Sequence, residues 1–494
     1  MLLERRFCSK IDRIVDGEGN EVFTMDRREK EIAKWEREKA RPKGNYYLAF
    51  LIFVITLIYA TDEIASQIGT LMKTEIANDL LANFGESSVG VMDIISMVAI
   101  PFQIVAMFYK PLADKWGRKK FLVINTFGMS FALLIIFLSN NLWLYFLGAC
   151  LVQFFIPHDM HVVYIMETAP PKNRGRMYSC IKFIANMGVM LVPVLRRILL
   201  TDASQWRRVF FIPALIGLVS SFVALISARE TDAFIDARLR YLRMSDEERE
   251  LEKKQKKAEN AQGGFLNALR FAFSHKQLKW IYISAAFANI GFLLIIEYQV
   301  IMTYGYAQNF LANGLYPTLD AALNAASVGV ITTAIFMFTI GSACAQVVMG
   351  FVSDGIGRKA AAITTASMCV LSLIGFYTGA NMAWSPYIVG FLCGACIGSY
   401  YATNDVLIMM IGESSPTNLR SSTISAQYIV AGMGVILSYA VGLPLLTSLG
   451  NSAAGLIILC LTVPGFIIAL VILCAKTHDT KGLDLDKVTG CEWD

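Results

Sequence analysis

Apolar runs about as long as a bilayer crossing alternate with short polar breaks over most of the chain. A hydrocarbon core of about 30 Å takes roughly 20 consecutive apolar residues as helix, because lipid offers no partner to an unpaired backbone N–H or C=O. That rule predicts six spans at roughly 46–72, 88–109, 119–139, 142–166, 177–200 and 208–228, then six more at roughly 277–306, 327–351, 359–381, 384–411, 421–448 and 452–475. Between the two sets lies a charged stretch containing SDEERELEKKQKKAENAQGG, a helical pattern closed by a Gly pair. The pattern divides the chain into a cytoplasmic N-terminal segment (1–45), a six-helix bundle (46–228), a cytoplasmic linker (229–276), a second six-helix bundle (277–475) and a cytoplasmic tail (476–494). The fold class expected is an all-α membrane protein of twelve transmembrane helices in two pseudo-symmetric bundles.

Composition sharpens this picture. Hydrophobic residues make up 55% of the 494 positions and charged residues only 17%, against roughly 25% charged in a soluble domain. The first 44 residues are polar and charged, so no cleavable signal peptide is expected before the first span. The segment DRREKEIAKWEREKARPK reads as a solvated or interfacial helix ending near Pro42. The formal charge of +5 resides in short basic clusters beside apolar runs, as cytoplasmic loops require, which argues against a nucleic-acid partner. The N-terminus, KPLADKWGRKK, PPKNRGR, the linker, DGIGRK and the tail fall on one side, the cytoplasm by the positive-inside rule. Arg196, Arg197, Arg207 and Arg208, between the fifth and sixth spans, are the exception and must lie outside. The cysteines sit mostly inside apolar runs with no metal-ligand spacing, so neither a metal site nor a disulfide framework is implied. No phosphate loop and no hydrolase elbow occurs, so no cofactor and no enzyme activity is expected.

The halves repeat each other. Asp159, Glu167 and Arg174 after the fourth span recur as Asp405, Glu413 and Arg420 after the tenth, at one constant offset. The loop LADKWGRKK around Asp114 is matched by GFVSDGIGRK around Asp354. Here the chain resembles the major facilitator superfamily, whose signature loop G-x-x-x-D-x-x-G-R-[KR] appears once in each half. Asp114, Gly117, Arg118 and Lys119 fit the first copy, and Gly350, Asp354, Gly357, Arg358 and Lys359 fit the second; Lys110 stands where the first copy expects Gly. YIMETAPPKNRGR, QWRRVF and DTKG at Asp479–Gly482 narrow the resemblance to the sugar porter and metabolite:proton symporter branch. It implies two bundles rocking about a midplane site, in keeping with the repeat logic of transporters. Apart from the family, carboxylates beside helix ends and GRK clusters can cap helices and pair with bases. Asp114, Gly117, Arg118, Lys119, Glu167, Arg174, Asp354, Gly357, Arg358, Glu413 and Arg420 are therefore expected to form a conformational latch at the cytoplasmic face.

Ionisable residues inside spans are the stronger functional signal, because a charge near the bilayer centre costs about 2.5 to 3.5 kcal/mol and normally faces a cavity. Asp62 and Glu63 lie in the first helix, Asp159 with His158 and His161 in the fourth, Glu297 in the seventh and Asp405 in the tenth. The resembled family lines its central cavity with these helices. A carboxylate in a partly dry cavity can exchange a proton near neutral pH, so Asp62, Glu63, Asp159, Glu297 and Asp405 are proton-coupling candidates. Asp62 is placed similarly to an aspartate of proton-coupled sugar porters that pairs with a fourth-helix arginine, but the matching position here is Leu147. An inter-helix hydrogen bond is the structural alternative for each carboxylate, and for His158 and His161 it weighs equally with proton relay. Substrate-binding candidates are Lys182, Gln299, His158, Tyr401 and Tyr428.

The resulting reading is secondary active transport of a small polar solute, sugar-like or an organic acid, by proton-coupled symport. An exporter or antiporter of the same fold is the alternative, and a non-transporting solute sensor a more distant one. The partners implied are a small-molecule substrate, protons and the lipid bilayer of the plasma membrane, with the chain a monomer. Lys182 bears most on substrate class. It lies eight residues past Arg174, about 12 Å along the fifth helix at 1.5 Å per residue, where the resembled porters carry a sugar-binding glutamine. An ammonium in a partly dry cavity attracts a carboxylate; pairing with Asp62 or Asp159, or snorkelling, are the other roles open to it. If the solute is anionic, Lys182→Gln weakens competition by a carboxylate far more than by its amide. Equal losses for acid and amide would refute the anion site and return sugars to first place.

Overall fold

A computed structural model describes residues 12–15, 21–24, 27–41, 46–109, 116–155, 187–245, 247–252, 265–416 and 420–481, with isolated positions at 164, 181, 184, 185 and 254. Helices account for nearly all of it. An antiparallel hairpin, β1 (Asp12–Val15) and β2 (Glu21–Thr24), pairs Asp12 with Thr24, a small addition to the all-helical expectation. Helix α1 (Arg27–Ala40) follows. The first half continues as α2 (Tyr47–Leu71), α3 (Lys73–Leu80), α4 (Ser88–Tyr109), α5 (Arg118–Leu138), α6 (Leu142–Phe155), α7 (Leu191–Leu199) and α8 (Arg207–Ser227). Linker helices α9 (Asp232–Arg243) and α10 (Phe265–Ser274) lead to the second half. That half comprises α11 (Lys276–Ala288), α12 (Phe292–Ala312), α13 (Leu319–Ala325), α14 (Thr332–Gly355), α15 (Arg358–Asn381), α16 (Pro386–Glu413), α17 (Arg420–Leu449) and α18 (Ala454–Lys476).

Among the described residues, eight helices are long and apolar enough to cross a membrane, and α16, at 28 residues, has the length as well. The fully described spans lie close to the apolar runs, as with 46–72 against Tyr47–Leu71 and 359–381 against Arg358–Asn381. The fourth and fifth spans are described only as α6 and α7. Two spans carry breaks that hydropathy does not register. The seventh is α11 and α12 joined by a 3-10 turn at Asn289–Gly291, and the eighth is α13 and α14 joined by a π turn at Ala326–Ile331. Such turns release backbone groups from the regular ladder and often mark functional positions.

Without a hydrophobic drive between helices in lipid, packing depends on small residues that let backbones approach. The clearest case joins α14 and α16. Gly390, Gly394 and Gly398 recur every fourth residue, and a Cβ at each would collide with the carbonyls of Ala334, Phe338 and Ser342, spaced the same way on α14. The sequence GFLCGACIG therefore makes one rigid helix pair.

Both halves begin their third helix in the same manner. Gly117 (φ 105°) and Gly357 (φ 141°) take backbone conformations that a side chain disfavours and turn the chain into α5 and α15. The freed N–H groups then meet a carboxylate from just past the sixth helix of the same half. Arg118 and Lys119 N–H donate to Glu230 Oε1 at 2.8 and 3.1 Å, and Arg358 and Lys359 N–H donate to Asp479 Oδ1 at 2.8 and 3.3 Å. Burial pushes the Glu230 carboxyl above the usual carboxylate range, against the pull of N–H donors from Lys119, Thr231 and Arg118.

The N-terminal helix is docked rather than free. Glu31 of α1 pairs with Arg238 of α9 at 3.3 Å, Glu36 with Arg243 at 2.5 Å, and Lys39 with Asp236. Trp35 meets Phe234 edge-on at 5.6 Å. The helix ends at Ala40, two residues before Pro42, as its sequence predicts.

Replacing a helix-capping side chain by alanine costs about 0.5 to 2 kcal/mol, and the loss grows when buried N–H groups are left without a partner. Glu230 is buried and Asp479 exposed, so Glu230→Ala is expected to lower the melting temperature of the purified protein more than Asp479→Ala. Equal shifts would show that the two caps are worth the same despite their different burial.

Candidate functional site

Among the described residues, the two halves meet mainly at the end of the bundle away from the Gly117 and Gly357 turns, through α3, α4 and α7 on one side and α12, α14 and α17 on the other. Five ionisable side chains are buried there. Lys73 follows immediately on the break at Met72 and is only 4% exposed. Its ammonium binds both Asp93 of α4 and Glu297 of α12. Arg196 of α7 is fully buried, with Nη2 2.5 Å from Glu75 Oε1. The same guanidinium donates to the Leu71 carbonyl at 2.9 Å and, across the interface, to the Ser327 carbonyl at 3.0 Å. Ser327 lies in the π turn, where an irregular helix leaves carbonyls available to a donor from outside. Glu75 Oε2 accepts from Gln299 Nε2 at 3.0 Å, Gln299 Oε1 accepts from Thr74 N–H at 3.0 Å, and Ser327 Oγ donates to Glu75.

Every cation in this network contacts both halves, so it closes that end of the molecule. Removing one partner from a buried pair costs about 3 to 5 kcal/mol, because the other charge is left without compensation. Outside the closure lies a cavity of about 660 Å³ lined by Asn78, Ala82 and Gly85 from the first half and by Asp320, Ala321 and Asn324 from the second, with Thr74, Glu75 and Ser327 at its base.

Toward the middle of the bundle the chemistry is different. Asp62 and Glu63 of α2 and Asp405 of α16 are half-buried. Tyr401 is 46% exposed and within electrostatic range of both Glu63 and Asp405, one from each half. Next to it, Tyr400 donates to Asn289 Oδ1 at 2.7 Å, and Asn289 Nδ2 donates to Asn404 Oδ1 at 2.7 Å. Asn289 opens the 3-10 turn between α11 and α12, so the helix break delivers an amide to Tyr400 and Asn404 of α16, the sequence neighbours of Tyr401 and Asp405. Tyr428 on α17 is exposed. Leu147, on α6, is exposed and apolar.

The sequence candidates thus divide. Glu297 and Gln299 belong to the closure and are fully buried. Asp62, Glu63, Tyr401 and Asp405 are partly exposed nearer the centre. Asp114, His158, Asp159, His161, Glu167, Arg174 and Lys182 fall outside the described residues, as does the side chain of Arg420. In the second half, Arg358 Nε donates to Glu413 Oε1 at 3.0 Å, and its Nη1 donates to Asp354 Oδ1 and the Ser353 carbonyl at 3.0 and 2.8 Å. Thr480 Oγ1 donates to Glu413 Oε2 at 2.6 Å, and Lys359 Nζ to the Thr477 carbonyl at 2.7 Å. All of these bonds stay within one half. They brace the second bundle at that end.

One expectation needs correction and four residues are new. Arg196 does not stand in a loop between spans; it lies within α7, buried and ion-paired, with Glu75 and oxygens of Leu71, Ser327 and Thr332 around it. Lys73, Glu75, Asp93 and Asn289 were not singled out. Asp93 carried a signal, a carboxylate inside the apolar run VGVMDIISM. Lys73 and Glu75 sit just past a span end, where charge is ordinary, and Asn289 is a neutral amide whose role depends on a break that periodicity does not show.

Comparison with known proteins places this geometry in a family. The chain is 30% identical over 152 residues to the human "Solute carrier family 2, facilitated glucose transporter member 4", a match covering 29% of this chain and 29% of that one. The chain thus spans under a third of the length of the glucose-transporter relative it matches. It is 24% identical over 373 residues to the "Proline/betaine transporter" of Escherichia coli (strain K12), covering 70% of this chain and 69% of the relative. Its fold is similar to the crystal structure of a D-xylose-proton symporter, with a TM-score of 0.56, 15% identity, and coverage of 88% and 99% of the two chains. A family model described as "Sugar (and other) transporter" matches residues 281–478. A model of the Major Facilitator Superfamily matches residues 48–310, more than half of the chain, and the chain belongs to that superfamily.

Proposed function

We propose that this protein is a secondary transporter that moves a small polar solute, sugar-like or an organic acid, by proton-coupled symport with alternating access. The observation that carries the reading is the arrangement of charge. Lys73 and Arg196 bind both halves at one end, while Glu63, Tyr401 and Asp405 from both halves face one another nearer the centre. One end is closed by groups that water can replace, and a polar site lies behind it. The names of the sugar and betaine relatives support a small polar solute.

The end bearing Arg118 and Arg358 is the cytoplasmic one in this reading, by the excess of basic residues there. The Lys73 and Arg196 closure then faces outward, in a plasma membrane, with both chain termini inside and the protein working as a monomer. The halves 46–228 and 277–475 are the moving units, and 229–276 tethers them. Asp62, Glu63, Asp159, Glu297 and Asp405 remain the proton-coupling candidates, and Lys182, Gln299, His158, Tyr401 and Tyr428 the solute-binding ones. Asn289 and Asn404 join them, since paired amides at a helix break offer donors and acceptors to hydroxyl or carboxylate groups.

Uptake into proteoliposomes from a panel of labelled sugars and carboxylates, with and without an imposed pH gradient, tests the reading. At least one solute is expected to accumulate only when the outside is acidic. Accumulation under an inward-acidic gradient instead would make the protein an exchanger of solute for protons. If Asp62 carries the coupled proton, Asp62→Asn retains solute exchange and loses gradient-driven accumulation; accumulation equal to wild type would remove Asp62 from the coupling set.

Orientation has its own test. A cysteine introduced at position 115 or 355 is expected to resist a membrane-impermeant thiol reagent applied to intact cells. Labelling from outside would invert the topology.

A further inference from the structure

Among the described residues, the buried closure holds more negative charge than its cations balance. Fully ionised, Lys73 and Arg196 contribute two positive charges against three negative ones from Glu75, Asp93 and Glu297. Glu75 is well served: Oε1 receives Arg196 and Ser327, and Oε2 receives Gln299. Asp93 and Glu297 are not. They share the single ammonium of Lys73, each through one oxygen, and are both fully buried. The remaining oxygens, Asp93 Oδ2 and Glu297 Oε2, are buried and receive no donor among the described residues. Both carboxyl groups contact the same Lys73 nitrogen, so they lie side by side.

Two carboxylates forced together out of water do not both ionise; they hold one proton between them. A carboxylic acid donates where a carboxylate only accepts. One proton between Asp93 and Glu297 therefore supplies the missing donor and removes the excess charge together. Among the described residues, the other titratable or charged groups facing the pair are Lys73 from α3 and Tyr439 from α17, which lies within electrostatic range of both carboxyls. Glu75 and Arg196 stand beyond Gln299.

The pair also straddles the interface, with Asp93 on the first half and Glu297 on the second. We propose that Asp93 and Glu297 bind a single shared proton when this end of the transporter is closed, making the closure a proton-operated gate. The gate rests on the transport reading for its biological use, though not for its physics. When the halves part, Glu297 withdraws from Lys73 and Asp93, water enters from the cavity above, and the proton leaves to that water. The closed state then binds one proton more than the open one. By linkage, acid favours closure, and rising pH favours opening by up to about tenfold in the closed-to-open ratio per pH unit between the two affinities.

Spin labels on Ala82→Cys and Ala321→Cys, which line the cavity from opposite halves, read the gate directly in a background whose native cysteines are replaced. In otherwise wild-type protein, the short-distance population is expected to dominate at acid pH and to give way to a longer distance as pH rises. Glu297→Gln, whose amide can donate to Asp93 without a proton, is expected to hold the short distance at every pH. Asp93→Asn should do the same, providing a second route should one variant fold poorly. A wild-type distance distribution independent of pH overturns the proposal, and so does a Glu297→Gln response that matches wild type. If no solute is transported but the distances still follow pH, the transport reading fails and the proton site stands. If transport is intact and the distances ignore pH, the reverse holds.

Discussion

A charged side chain taken out of water must find its compensation inside the protein, and in this molecule it finds it across the boundary between the two halves. Lys73 and Arg196 belong to the first half, yet Glu297 and the Ser327 carbonyl come from the second. Neither half can keep that end dry alone, since separating them leaves a buried cation short of partners. The break at Met72, which projects Lys73 and Glu75 inward, and the π turn that presents Ser327 make sense as devices that bring these groups together. So does the position of Arg196 near the end of α7, in contact with the last carbonyls of α2.

For such a boundary to behave as a switch, the bodies on either side must be stiff. The stiffness comes from contacts within each half. In the second, the carbonyl-on-glycine packing of α14 against α16 leaves no room for a methyl group. The Arg358, Glu413 and Thr480 bonds tie the third, fourth and sixth spans of that half at the opposite end from the gate. The matched carboxylate caps on α5 and α15 show the same construction used twice. Packed interfaces of this kind hold one of a few discrete arrangements instead of deforming continuously, which is how a small shift at one end becomes a rigid-body movement.

The architecture was legible in the sequence because bilayer thickness sets helix length, and length is read directly from runs such as 46–72 and 359–381. The duplication was legible too, since Asp, Gly, Arg and Lys recur at fixed spacing in equivalent loops. Glu297 was recognisable as a candidate because a carboxylate in an apolar run is costly. Its partner was not, because Lys73 lies 224 residues away, and pairing at that separation is a property of the fold. Arg196 shows the limit of charge counting. The positive-inside rule concerns which side a basic residue occupies, and a buried arginine satisfies or violates that count with no sign of what surrounds it. The breaks at Asn289 and Ala326 are similarly silent, since 3-10 and π turns keep nearly the periodicity of the helix around them.

A gate of charges differs in kind from a gate of apolar side chains. Parting an apolar seam exposes oily surface to water with nothing regained, so the closed state is strongly preferred. Parting an ion network exchanges one set of favourable interactions for another, because water solvates each freed charge about as well as its partner did, and buried pairs often come close to breaking even against their hydration. The two states then differ by little, even though the individual bonds in either are strong. That near balance is what the proposed alternating access would need, since a ligand can shift an equilibrium only by its differential affinity for the two states. With the scales so nearly level, the gain or loss of one compensating charge among Lys73, Asp93 and Glu297 is a large perturbation. The same groups that seal the closed end are thereby the ones through which its opening can be controlled.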